Sequence, residues 1–152
     1  MSGYLASFEP AMRQAIAEAK AAAADVPVGA VVLDADGSVI GRGRNERVGT
    51  ADPTAHAEIL ALRAAGVSRG NWRLDGCTLV VTLEPCTMCA GALLAGRVTR
   101  LVYGTHDPRA GAAGSVWDVL HDPRLGPEVE VLTGVLSAEC AALLRGFFEE
   151  RR

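Results

Sequence analysis

Among 152 residues there is a single lysine, Lys20, so nearly all positive charge is carried by arginine, and the formal net charge is −3. An acidic balance argues against tight unspecific adhesion to nucleic acid, while leaving room for a local arginine patch. No apolar run approaches the length needed to cross a bilayer. Met1–Pro10 lacks both the basic start and the apolar core of a secretory signal. These absences predict a cytoplasmic protein with no membrane contact. Thiols stay reduced there, so the four cysteines (77, 86, 89 and 140) are poor material for a disulfide framework. The chain also lacks linkers and low-complexity segments, and residues 1–152 read as one domain long enough to bury a core. Two glycine-rich stretches fall short of phosphate loops. GRGRNE has no spaced third glycine, and AGAAGS is followed by no lysine.

What is present is an ordinary globular balance, 49% hydrophobic and 22% charged. Phe8, Met12 and Ile16 recur every fourth residue, which predicts an amphipathic helix from Ser7 to about Ala24, with Ser7 as N-cap and Pro10 in the first turn. Val28–Leu33 and Ser38–Arg42 read as strands joined by an Asp-Ala-Asp-Gly turn. A polar loop then leads to a helix over Ala55–Ala65, closed by Gly66. Thr78–Leu83 reads as a buried strand, Thr87–Ala95 as a helix and Arg100–Gly104 as a strand. The glycine-rich region Thr105–Pro127 reads as loop with one short helix near Ser115–Leu120. A last strand, Glu128–Leu132, and a helix from Ser137 complete the series. Helices alternating with strands around one apolar sheet give a three-layer α/β/α domain.

The stretch TLEPCTMCAG holds two cysteines three apart. Such a pair serves as a redox dithiol, as half of a metal site, or simply as small buried side chains. Its place past the middle of the chain departs from the thioredoxin pattern. Cys77 and Cys140 read as core cysteines, and no second close pair exists for a four-cysteine zinc knot. His106 and His121 lie in Asp-Pro turns, where a solvated histidine is the ordinary case. His56 differs: it opens a helix in AHAEILAL with Glu58 two residues on. Residues two apart point to opposite sides of a helix, so His56 and Glu58 share a centre only if the helix meets it end-on. Cys86 and Cys89 share a face at the start of the next helix, where the helix dipole favours thiolates. The sequence thus predicts two helix N-termini converging on one zinc ion, with His56, Cys86 and Cys89 as ligands and water in the fourth position. Zinc lowers the pKa of bound water to roughly 7, which makes a hydroxide nucleophile available, and Glu58, not a ligand, is free to carry protons.

The H-x-E…P-C-x-x-C pattern is the known signature of the zinc nucleobase deaminases. HAEILALRAAG, VTLEPCTMCAGALLAGRV, the GAAGS stretch and CAALLRGFF closely resemble the bacterial tRNA-specific adenosine deaminases, the TadA family, over almost the whole chain. That resemblance implies a cytidine deaminase-like α/β fold with a central mixed sheet of about five strands. It implies one Zn²⁺ per chain on His56, Cys86 and Cys89, with Glu58 as catalytic proton carrier. The implied reaction turns the wobble adenosine of a tRNA anticodon stem-loop into inosine with release of ammonia, and the implied assembly is a homodimer. CAGALLAG, apolar on every side of its helix, agrees with a second subunit covering one face. Asn45 and Asp107 match substrate-contacting positions of the family. Asn45 also reads as a turn residue, and Asp107 as the start of an Asp-Pro turn. Arg42, Arg44 and Arg47 surround Asn45 and suit phosphate contacts or a solvated loop. Glu84 reads as support for the ligands or as a favourable charge at a helix N-terminus. Pro108 and His106 depart from the commoner family pattern. A guanine, cytosine or cytidine deaminase would keep every zinc residue, and a non-catalytic zinc-stabilised RNA-binding module would keep the cysteines without needing Glu58.

Overall fold

The computed structural model describes residues 3–151. Its elements run α1 (Gly3–Ala6), α2 (Glu9–Lys20), β1 (Gly29–Leu33), β2 (Val39–Arg44), α3 (Arg47–Thr50), α4 (Ala57–Arg69), β3 (Thr78–Leu83), α5 (Thr87–Ala95), β4 (Arg100–Thr105), β5 (Glu130–Thr133) and α6 (Ser137–Glu150). The five strands form one mixed sheet in the order β2-β1-β3-β4-β5. β1 is antiparallel to both neighbours, whereas β3, β4 and β5 run parallel.

Alternation along the strands sorts the core into two layers. Ala30, Val32, Leu79, Val81, Leu101 and Tyr103 pack beneath α4 and α5, with Ala57, Ala61, Ala65, Ala90 and Leu93. Val31, Leu33, Val80 and Val102 face the other way, onto Phe8, Met12 and Ile16 of the N-terminal segment and Cys140 of α6. This is the three-layer α/β/α arrangement that the sequence predicts. Its central strands are covered on both faces, which is why they read as continuous apolar runs.

Two glycines set how closely α4 sits on the sheet. Gly41 and Gly43 of β2 lie so near beneath it that a Cβ on Gly43 would stand 2.2 Å from the Ala57 carbonyl oxygen, and one on Gly41 would stand 2.3 Å from that of Ala61. Glycine below and alanine above let the helix press directly onto the strand. A methyl group at either glycine would lift the helix.

Several boundaries differ from expectation. The first helix is interrupted: the Ser7 hydroxyl donates to the Tyr4 carbonyl, closing α1, and Phe8 occupies the N-cap position of α2 without a side-chain cap. α4 passes through Gly66 and ends at Gly70, whose left-handed backbone (φ 69°) closes the helix onto the carbonyls of Gly66 and Val67. The short helix expected near Ser115–Leu120 is absent. Ala113 and Asp118 instead form an isolated antiparallel bridge, because the Ser115 amide is taken by a carboxylate from β3's end. The hairpin strand and the last two strands shift by one or two residues at their ends. Among the described residues no helix is long and apolar enough to cross a membrane.

Candidate active site

His56 is the N-cap of α4 and Cys86 the N-cap of α5, with Cys89 in the first turn of α5. The two helices meet the same point end-on. The Nδ1 atom of His56 lies 3.7 Å from Cys86 Sγ and 3.6 Å from Cys89 Sγ. All three donor atoms fall within 4.8 Å of one another. A tetrahedral zinc with ordinary bond lengths holds sulfur and nitrogen about 3.6 Å apart. The cluster therefore fits the ion, and the nitrogen facing it is Nδ1.

Charge points the same way. Cys86 is pulled down to about 3, first by the Cys89 thiol directed at it and then, against burial, by the His56 ring. Cys89 is pushed up by the Cys86 sulfur and by burial. The pair thus shares one proton, and a divalent cation binding here displaces it. His56 is raised by its contact with Cys86.

Glu58, on the first turn of α4, is 4% exposed. Burial drives its carboxyl up to about 7, and the Cys86 charge adds to that. A carboxyl poised near neutrality beside a metal-ligand cluster can both accept and return a proton at working pH. It lies in a cavity of about 170 Å³ shared with Val26, Asn45, Arg47, His56, Cys86 and Asp107. All six residues singled out from the sequence thus border one small chamber or its metal cluster.

Asn45 and Asp107 both have structural duties there. The Asn45 Oδ1 accepts the Ala57 N–H at 2.9 Å, and its Nδ2 donates to the Val26 carbonyl at 3.0 Å. One Nδ2 hydrogen remains for a ligand. Asp107 Oδ1 accepts the amides of Arg109 and Ala110, closing its own turn. The three arginines separate: Arg42 bonds Gln14 and Arg44 pairs with Glu18 and Glu46, whereas only Arg47 borders the chamber. Arg47 is gripped by Asp25 at 2.6 Å, and Asp25 is buried. Sequence reasoning missed Asp25, since nothing in ADVPVG marks that aspartate as buried. Cys77 and Cys140 are buried core residues, as expected.

A model of the cytidine and deoxycytidylate deaminase zinc-binding region matches residues 6–105. A protein of Haemophilus influenzae named tRNA-specific adenosine deaminase is 47% identical over 146 residues, 95% of this chain and 84% of that one. The chain belongs to the zinc-dependent deaminases, in the branch of the tRNA-specific adenosine deaminases. This deaminase also shares 51% identity over 144 residues with a Deinococcus radiodurans protein named tRNA(Ile)-lysidine synthase, of which it spans 25%. A solved structure from a study of A-to-I editing by tRNA:A34 deaminases at the wobble position superposes with a TM-score of 0.85. It is 42% identical, and the match covers 89% of this deaminase and 99% of that chain. Zinc is the cofactor of this family, and the His56, Cys86 and Cys89 cluster is where the fold offers it a seat.

Proposed function

We propose that this deaminase converts the wobble adenosine of a tRNA anticodon to inosine, consuming water and releasing ammonia. The observation that carries the reading is Glu58: a buried carboxyl held near neutrality, in a chamber of base size, beside a cluster that fits zinc. The names and identities of its relatives supply the choice of adenosine in tRNA.

Zinc, when bound on His56, Cys86 and Cys89, supplies the electrostatic activation of water that lets it act as a nucleophile at neutral pH. Glu58 takes the proton from that water and gives it to N1 of adenine, which makes the amino-bearing C6 electrophilic. The water oxygen bonds to C6, and Glu58 then carries that oxygen's remaining proton to the exocyclic nitrogen, so that the C6–N bond breaks and ammonia leaves. Desolvation raises the pKa of Glu58, and that is what makes it a competent acid as well as a base. Asn45 presents its remaining Nδ2 hydrogen to the base edge. Asp107, with Oδ2 bonded to no protein group among the described residues, meets the nucleotide from the same chamber's wall. Both contacts rest on positions shared with the family and on their place beside the chamber.

The assembly is a homodimer in this reading, and the whole chain is one deaminase unit working in the cytoplasm. Between α4 and α5 an apolar groove of about 930 Å³ is lined by Leu62, Val67, Trp72, Ala92 and Ala95. Beyond Thr87 and Met88 at its start, the outer side of α5 has only alanine, glycine and leucine to offer water, which supports cover by a second copy.

An inosine assay tests the function. An anticodon stem-loop with adenosine at the wobble position should be deaminated, and free adenosine, cytidine and guanine should be left nearly untouched. Efficient turnover of a free base with the stem-loop unchanged would move the enzyme to the free-nucleobase branch.

A further inference from the structure

Glu84 follows β3, one residue before Pro85 and two before Cys86, and 2% of it is exposed. A buried carboxylate is costly unless its oxygens are satisfied. Here every partner comes from one loop. Oε1 accepts the Asp107 amide at 3.1 Å and the Ser115 hydroxyl, while Oε2 accepts the amides of Ala113 at 3.0 Å and Ser115 at 3.1 Å. His106 Nδ1 stands 3.6 Å from Oε1. The neighbouring Pro85 carbonyl takes the Ala112 amide at 2.8 Å. Gly111 passes so close that a Cβ there would lie 2.5 Å from the Glu84 carboxyl carbon. A carboxylate has about four acceptor places. All are spent on the segment 107–115 and none on the metal cluster.

That segment has no ladder of its own beyond the Ala113–Asp118 bridge, yet it carries Asp107 and Ala110 on the wall of the chamber. We propose that Glu84 is a positioning residue: it ties the loop to the strand that leads into the metal ligands and so sets where the loop grips the nucleotides flanking the reacting base. Glu84 borders the chamber, but its oxygens are all engaged by the loop, so it acts through the loop. Its service is to binding of the polymer, not to the chemical step. The inference rests on the proposed RNA substrate for its function, and on the hydrogen bonds alone for the clamp.

Glu84→Gln keeps the shape but replaces one acceptor oxygen by a donor, so loop amides lose their partner. KM for the anticodon stem-loop should rise about tenfold or more, in line with loss of charged hydrogen bonds, while kcat and zinc per chain hold. Gly111→Ala leaves the carboxylate intact but pushes the loop away, and should reproduce the rise in KM. The double variant should be no worse than the worse single, because both break one contact. Hydrogen exchange reads the clamp without any substrate: the amides of Asp107, Ala113 and Ser115 should exchange faster in both variants. Should Glu84→Gln fold poorly, Ser115→Ala removes only the hydroxyl's contacts to Oε1 and to His106 Nδ1, leaves the backbone amides on Oε2, and should show the same exchange pattern with a smaller rise in KM. Unchanged exchange in these variants, additive effects on KM, or loss of kcat together with zinc would each overturn the proposal. Inactivity of the unmodified enzyme on the stem-loop, with exchange faster in the variants, would instead overturn the RNA reading and leave the clamp standing.

Discussion

The side-chain oxygen of Asn45 receives the first amide of α4, Ala57 N–H, at 2.9 Å. The residue we propose to meet the base is thus also the group that fixes the end of the helix carrying His56 and Glu58. Asn45 also lines the chamber, so the proposed binding role and the scaffolding role would meet in one amide.

Asn45→Ala should therefore act on two levels. Removing an N-cap partner costs about 1 kcal/mol or somewhat more, read as a lower midpoint in thermal or urea unfolding. Zinc should also be held less tightly, because α4 is free to shift at its metal end. A variant with full stability and unchanged zinc content, defective in KM alone, would restrict Asn45 to substrate contact.

Metal and proton carrier should separate cleanly by substitution. His56→Ala and Cys86→Ser should lose zinc, from about one per chain toward none. Glu58→Gln should keep zinc while turnover falls by about two orders of magnitude or more. Elemental analysis beside single-turnover inosine formation makes the comparison. Full activity of Glu58→Gln would end the proton-carrier role.

The Asp25–Arg47 pair predicts a pH dependence. Burial alone would raise the Asp25 carboxyl, but the Arg47 guanidinium and the amides of Val48 and Val26 outweigh it, and the net shift is downward. A carboxyl depressed in the folded state adds stability that is fully present above its unfolded value of about 4. That stability is lost as pH falls through the lower folded value. Melting profiles of the native protein and Asp25→Asn should be well separated at neutral pH and converge below about pH 4. Parallel profiles across that range would show that the pair carries no such linkage.

The proposed dimer has a simple measurement. Light scattering at micromolar concentration should give twice the 15.8 kDa chain mass. Ala92→Glu, placing a charge in the groove between α4 and α5, should return the monomer without altering the fold of the sheet. A native protein that scatters as a monomer would leave that groove without its second copy.

Period and spacing determined a good deal. Short apolar runs rich in valine and leucine marked β1, β3 and β4, the apolar fourth-residue repeat marked the N-terminal helical segment, and Thr78–Leu83 and Thr87–Ala95 were legible to the residue. The metal cluster was legible too, because two helix N-termini and a three-residue spacing are local properties that the sequence states directly. Boundaries were less so. Gly66 offered a helix stop, but Gly70 provided it, since only the left-handed backbone at Gly70 lets the last carbonyls be capped. The three arginines around Asn45 look equivalent in sequence. Only the fold turns Arg42 and Arg44 toward α2 and Arg47 toward the chamber, because side chains two apart on a strand share a face and the chain turns into α3 after Arg44. Tertiary structure alone decided the fate of Glu84. Its partners lie 23 to 31 residues away in a loop with no periodicity, and a hydrogen-bond acceptor shared by distant backbone amides leaves no local pattern to read.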